Sequence, residues 1–245
     1  MIILFSPSEG KRKGGTLPPL NPQSFIFPDL YSKRLEVIEQ YESLIREGDD
    51  QSLCELFGIK DSKEYDRYRT TLTSVPTMKA IERYEGVAYD YLQYHELSAE
   101  AQTYIDNHTI IFSNLFGPLR ASDNIPDYKL KQGASIGEFF PDKHYKAHFN
   151  AALDSLIGKD EILDLRAGYY DKFYLPAKAA VTLKFLKGGK VVSHWAKAYR
   201  GIVLREAAKG QIETFSELLA LDIEGLMIHE IVETKKKKEI IYTIY

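Results

Sequence analysis

The chain opens on a continuous apolar run, Ile2–Phe5, which predicts a buried strand. The run stops at Ser6-Pro7-Ser8-Glu9-Gly10-Lys11, a polar loop leaving the strand's carboxyl edge. This loop is not a phosphate-cradling P-loop, because Phe5 stands where such a loop needs its first glycine. A proline-rich segment, residues 14–28, then reads as an extended surface connection. Helical spacing follows: Leu35, Ile38, Tyr41 and Ile45 form one stripe, and Gly48 is placed to end it. Residues 52–57 make a short helical turn closed by Gly58-Ile59-Lys60, and Asp61 with Glu64 predicts a capped helix to about Thr73. Pro76 interrupts. Further helices are expected through Ala80, Tyr84, Val87 and Tyr91, and from a cap at Ser98 to near Asn107.

From Thr109 the pattern changes. Residues 109–112 are β-prone and lead into residues 113–133, a stretch too broken by glycine and proline to be one helix or strand. Polar side chains on such a loop more often work than merely connect. This loop carries Arg120, Asp123, Asp127, Tyr128 and Lys129. Pro141 and Asp142 then start a helix with the stripe Tyr145, Phe149, Leu153 and Leu156, ended by Gly158. Residues 161–165 read as a second buried strand running into Arg166. Lys187-Gly188-Gly189, between residues 181–186 and 190–195, predicts a hairpin. Helical spacing returns over residues 196–208, Thr214 with Glu217 caps a short helix, and residues 226–232 and 240–245 predict terminal strands around a solvated turn at 234–238. Helices cluster early and strands late, so the expected fold is α+β: a central mixed sheet with surrounding helices, one domain spanning 1–245.

With 44% hydrophobic and 27% charged residues over 245 positions, the chain is neither disordered nor fibrous in composition. Cys54 is the only cysteine, which excludes an intramolecular disulfide and a cysteine metal cluster; its apolar neighbours predict an inert thiol. No run of 18 apolar residues is present, and the first apolar run precedes its basic residues, the reverse of a secretory signal. The chain therefore reads as cytoplasmic with no membrane partner. Net charge is −3, yet residues 166–209 carry a net +8 and the remainder −11. Such asymmetry points to an electropositive face meeting an anionic partner, against the plainer reading of a lysine-rich solvated hairpin.

Four constellations carry candidate chemistry. Gly133-Ala134-Ser135-Ile136-Gly137 matches a nucleophile elbow, but that motif needs a helix directly after the serine, and the next helix start is Pro141. His144 and His148 share a helix face without acidic neighbours, which favours solvated histidines over a metal site. Lys197 and Arg200, three apart near a helix start, suit an anion or simply a solvated end. Residues 52–68 read as a helix-hairpin-helix-like element, in which Gly58, Ile59, Lys60, Lys63 and Arg67 would meet DNA phosphates. Glu55, Asp61, Glu64 and Asp66 weaken that field.

Taken together, these blocks resemble the YaaA family of bacterial peroxide-stress proteins. The likeness rests on the first strand with Ser6-Pro7-Ser8-Glu9-Gly10-Lys11 and on Leu115-Phe116-Gly117-Pro118-Leu119-Arg120. It continues through Asp123, Ile125-Pro126-Asp127-Tyr128-Lys129-Leu130, Gly133, Asp164-Leu165-Arg166 and Tyr169. Val192-Ser193-His194-Trp195-Ala196-Lys197, Arg200-Gly201 and Glu224-Gly225 complete it. Two positions depart: Asn114 stands where many members have glycine, and Glu9 where some have lysine. The resemblance implies a cytoplasmic protein that limits iron-dependent oxidative damage, a mixed α/β fold, a positively charged cleft and DNA binding through a helix-hairpin-helix element. No reaction and no cofactor come with it. The preferred expectation is a DNA-binding stress protein using backbone contacts with little sequence specificity. The alternative is an enzyme acting on a phosphorylated or anionic small molecule, with Ser6, Glu9, Lys11, Arg120, Asp123, Tyr128, Lys129, Asp164, Arg166, Lys197 and Arg200 converging on one cleft and Glu9 or Asp123 as base.

Overall fold

The computed structural model describes residues 1–234 and 237–245. The elements in chain order are β1 (Ile2–Phe5), β2 (Gly10–Lys11), α1 (Tyr31–Glu47), α2 (Asp50–Phe57), β3 (Met78–Lys79), α3 (Ala80–Arg83), β4 (Tyr84–Glu85) and α4 (Val87–Leu92). Then come α5 (Ala99–His108), β5 (Thr109–Ser113), β6 (Gly117–Arg120), β7 (Asn124–Ile125), α6 (Pro141–Ile157) and β8 (Ile162–Asp164). The chain closes with β9 (Ala180–Lys187), β10 (Lys190–Val191), α7 (Ser193–Gly210), α8 (Phe215–Ala220), β11 (Leu226–Glu233) and β12 (Lys237–Ile244).

One mixed sheet organises these elements, in the order β11-β12-β9-β8-β1-β5-β6, with β10 also paired to β9. The strands from β12 through β5 are mutually parallel, while β6 and β11 run antiparallel at the two ends. Every residue of β5 is buried, as expected for a strand covered on both faces. The fold is thus α+β with a mixed central sheet, as the sequence pattern predicts. The first strand lies in the middle: the chain leaves β1 toward β5 on one side and returns to β8 on the other. The reversal opens a crevice at the carboxyl edge of β1, the place where open α/β sheets bind ligands.

Several local expectations change. The helix expected over residues 61–73 is a six-residue 3₁₀ turn, Ser62–Arg67. Tyr65 and Tyr68, three residues apart, both pack against Phe57, each ring 5.4 Å away. The helix expected through Ala80 to Tyr91 is cut in two, because Tyr84–Glu85 pairs with Gly10–Lys11 and Gly86 adopts φ +127°. The hairpin at Gly188 and Gly189 forms, but its second strand is only Lys190–Val191, and α7 begins at Ser193, so Trp195 is helical. Residues 235 and 236 of the expected terminal turn lie outside the described residues; Lys237 and Lys238 already belong to β12. Ser135 is followed by an isolated bridge between Ile136 and Phe139, so the strained strand-to-helix turn of a nucleophile elbow is absent there.

Candidate ligand-binding site

A cavity of about 350 Å³ lies at the carboxyl edge of β1, β5 and β8. Its wall contains Ser6, Ser8 and Glu9 after β1, Asn114 after β5, and Leu165, Ala167 and Tyr170 after β8. Gly86, Val87 and Tyr89 come from the start of α4, Lys197 and Arg200 from α7, and Gln132 from the loop before α6. Strand ends supply these residues because parallel strands deliver their loops to the same edge.

Backbone contacts fix the β1 loop. Ser6 Oγ accepts from Ala167 N–H at 2.8 Å, and Tyr89 OH donates to the Ser6 carbonyl at 2.9 Å. Gly86 sits where a Cβ would meet Ser8 Oγ at 2.9 Å, so the α4 approach needs glycine. Gly201 does the same for α7: an added Cβ would stand 2.0 Å from the Ala88 carbonyl. That contact presses α7 onto α4 and carries Lys197 and Arg200 to the cavity.

The charges in the wall are of two kinds. Glu9 is already engaged: its carboxylate accepts from Lys129 Nζ at 2.9 Å and from Gln132 N–H at 2.6 Å. Burial raises its pKa, but Lys129, the Gln132 N–H and the Lys11 charge outweigh that and hold the carboxyl below its ordinary value. Arg200 differs. Its guanidinium is half-buried and its pKa is pushed down by desolvation, with only the charge of Asp164 opposing. Among the described residues neither Arg200 nor Lys197 has a hydrogen-bond or ion-pair partner. Asn114 Oδ1 is likewise buried and accepts no hydrogen bond among the described residues.

Of the eleven residues proposed for one cleft, Ser6, Glu9, Lys197 and Arg200 line the cavity. Lys129 lies beside it through Glu9. Lys11 is buried behind the same loop, its Nζ donating to the Ser8 carbonyl at 3.2 Å and standing 4.2 Å from the centre of the Tyr128 ring. Tyr128 is also buried; its hydroxyl joins Tyr84 OH and Ser113 Oγ, each at 2.8 Å. Asp164 and Arg166 hold each other by a two-pronged contact at 2.9 and 2.7 Å. The rest of the Arg166 fork donates to the Tyr170 and Tyr174 carbonyls, so this arginine braces the loop after β8.

Arg120 and Asp123 are a correction. Because β6 is antiparallel to β5, Arg120 stands opposite Ile110, near the amino end of β5 and the wrong edge for the cavity. Asp123 is buried there, accepting from Ile26 N–H at 3.1 Å and Arg120 N–H at 3.0 Å. Burial pushes its carboxyl up to about 6 against the pull of those N–H groups and of Arg34. It ties a turn together and is no base for the cavity. The fully buried Arg34 above it went unnoticed in the sequence, where it looks like any polar helix position. It donates to the carbonyls of Phe116, Ile26 and Pro118.

In the 52–68 element, α2 ends at Gly58 with φ +66°, and Lys60 and Lys63 are exposed. Ile59 is half-buried, its carbonyl accepting from Tyr65 OH at 2.9 Å. Arg67 turns inward: Nε donates to Asp127 at 2.7 Å and the fork reaches the Lys11 carbonyl at 2.9 Å. His144 Nε2 lies 2.8 Å from the Lys33 carbonyl, and no group of three potential metal-ligating side chains occurs among the described residues. Nor is any helix among them long and apolar enough to cross a membrane.

Fold and cavity together define a mixed α/β protein with a small-molecule-sized pocket at the carboxyl edge of its parallel strands. The chain belongs to the YaaA family of peroxide stress proteins, whose family model matches residues 1–231. It is 50% identical over 244 residues to an uncharacterised protein of Campylobacter jejuni, covering 100% of this chain and 99% of the relative. A UPF0246 protein of Corynebacterium efficiens is 36% identical over 247 residues, covering 97% and 98% respectively. One of Streptomyces coelicolor is 31% identical over 213 residues, covering 84% and 82%.

Proposed function

We propose that this peroxide-stress family member binds a small phosphorylated or otherwise anionic molecule in the cavity between β1, β5, β8 and α7. One observation carries the reading. Arg200, a half-buried cation without a hydrogen-bond or ion-pair partner among the described residues, stands in the cavity wall beside the exposed Lys197. Partly desolvating a guanidinium is unfavourable without an opposite charge, and an anionic ligand supplies one. The volume of about 350 Å³ is that of a small-molecule pocket. Inorganic pyrophosphate titrated by calorimetry is expected to bind, and Arg200→Ala to lose at least tenfold in affinity. Equal binding by both proteins would remove Arg200 from the account.

A second reading is favoured by Lys60 and Lys63, exposed just past the left-handed turn at Gly58. There the protein contacts DNA phosphates without reading sequence and helps limit iron-dependent oxidative damage. Affinity for a duplex should then fall steeply between 50 and 200 mM salt, losing roughly one unit of log–log slope per phosphate contact removed. Unchanged affinity and slope in a Lys60→Ala, Lys63→Ala double variant would exclude this element.

A further inference from the structure

Away from the cavity, the central sheet is not covered throughout. Over β9, β12 and β11 one face carries α7, where Tyr199 stacks on Phe185 and Phe185 on Tyr242. The side chains that alternate with these point the other way. There the register aligns Val191, Leu186, Thr243 and Met227 in one row over β10, β9, β12 and β11. The face is open at this row, with Val191 63% and Met227 59% exposed. A second row, two residues along, aligns Lys184, Ile241 and Glu230. A β-bulge after Ile228 puts Met227 and Glu230, three residues apart, on this same face.

The second row ends in opposite charges that meet nothing. Lys184 and Glu230 stand two strands apart, which is about 10 Å. Neither has a hydrogen-bond or ion-pair partner among the described residues. Turned over about an axis along β12, the same face presents Glu230 to Lys184, Lys184 to Glu230, Ile241 to Ile241 and Leu186 to Met227. Opposite charges then meet twice and apolar side chains lie on apolar ones, the self-complementarity that a two-fold contact requires. We propose that this face of β9, β12 and β11 docks on the same face of a second copy of the chain, sheet against sheet, with Lys184 of each protomer paired to Glu230 of the other. A partner of a single charge sign would leave one of the two groups opposed by its like. Glu239, one row further along β12, lies near the axis, and the rotation of about 30° between packed sheets carries it away from its own copy. The contact is smaller than the roughly 800 Å² per partner of a standard interface, so the dimer is weak and reversible.

Sedimentation velocity of the intact protein, from micromolar to millimolar concentration, is expected to show a reversible monomer–dimer equilibrium. Lys184→Glu and Glu230→Lys should each weaken self-association at least tenfold, because each sets like charges against one another at both pairings. Mixed together, the two variants should associate with each other about as well as the wild type does with itself, since each supplies the charge that the other lacks. That recovery also establishes that both variants are folded. Met227→Lys, at a position already open to solvent, should dissociate the dimer without unfolding the protomer. A protein that stays monomeric throughout the range overturns the proposal. So does a dimer indifferent to these substitutions, which another surface would then hold together. A mixture of the two charge variants that fails to associate overturns it as well, because the paired arrangement of Lys184 and Glu230 would be wrong.

Discussion

Lys11 illustrates how far a single side chain can be moved from its solution behaviour. Burial, reinforced by the nearby charge of Lys129, lowers its ammonium from 10.5 to about 7, with Glu9 and Asp127 opposing. Between about pH 7 and 10.5 the unfolded chain holds a proton that the folded chain has released. Stability therefore rises with pH across that window and levels off above it. Urea midpoints at pH 7 and pH 10 should show the wild type gaining on Lys11→Met; a constant difference between the two proteins would contradict the assignment. Arg34 is a buried cation whose two terminal nitrogens donate to three carbonyls and whose plane lies against Phe25 and Phe149, while its Nε has no partner among the described residues. Arg34→Met leaves those carbonyls without donors, and chemical denaturation should register a loss of roughly 3–5 kcal/mol. A loss under about 1 kcal/mol would mean that water replaces the guanidinium. Neither role is legible in the sequence. Lys11 is one of several polar residues in a loop, and Arg34, although it shares the buried face of α1 with Ile38, Tyr41 and Ile45, is a charged residue that an apolar pattern leaves out.

At the scale of elements, the α4–α7 contact decides the shape of the pocket. An alanine methyl at position 201 would stand 2.0 Å from the Ala88 carbonyl, so the two helices must separate. Overpacking of this kind is destabilising by about 1–3 kcal/mol, which in a chain of this size lowers Tm by roughly 3–10 °C. Differential scanning calorimetry of Gly201→Ala measures it, and an unchanged Tm would show that α7 yields without strain. The strand ends Ser6 and Arg166 and the helix pair Lys197 and Arg200 were legible, because an apolar run followed by polar residues marks a sheet edge. Arg120 and Asp123 were misplaced for a physical reason. Nothing in residues 113–120 states that the chain doubles back antiparallel after Ser113, and that one reversal carries both side chains to the opposite edge. The helix break at Gly86 was equally hidden, since its cause is a pairing with Gly10 and Lys11, distant in sequence.

Across the whole molecule, the pocket is assembled from segments that share no local sequence: the loop after β1, the start of α4, Asn114, the loop after β8 and one face of α7. A ligand bridging them stabilises only the arrangement in which all are present. Hydrogen exchange with pyrophosphate bound should therefore slow at residues 6–9, 86–89, 165–170 and 197–200 together. Protection confined to residues 58–67 would instead locate the anion on the α2 turn. The charge asymmetry agrees with the first outcome as far as Lys197 and Arg200 are concerned, both of which belong to the basic stretch 166–209. Composition alone discloses that stretch but not its geometry: Arg166 is paired with Asp164, while Arg200 has no hydrogen-bond or ion-pair partner among the described residues.

The central position of β1 also has a history in time. Ile2 pairs with Ile162 and Ile3 with Thr109, so β1 has no neighbour in the sheet until two strands much later in the sequence have been made. At typical rates of synthesis the wait for β8 is on the order of ten seconds. During it an apolar four-residue run, Ile2–Phe5, stays unpaired in the nascent chain. Long-range parallel pairings of this kind are slow to form. The middle of the sheet, and with it the pocket, can therefore form only after β8 has been made.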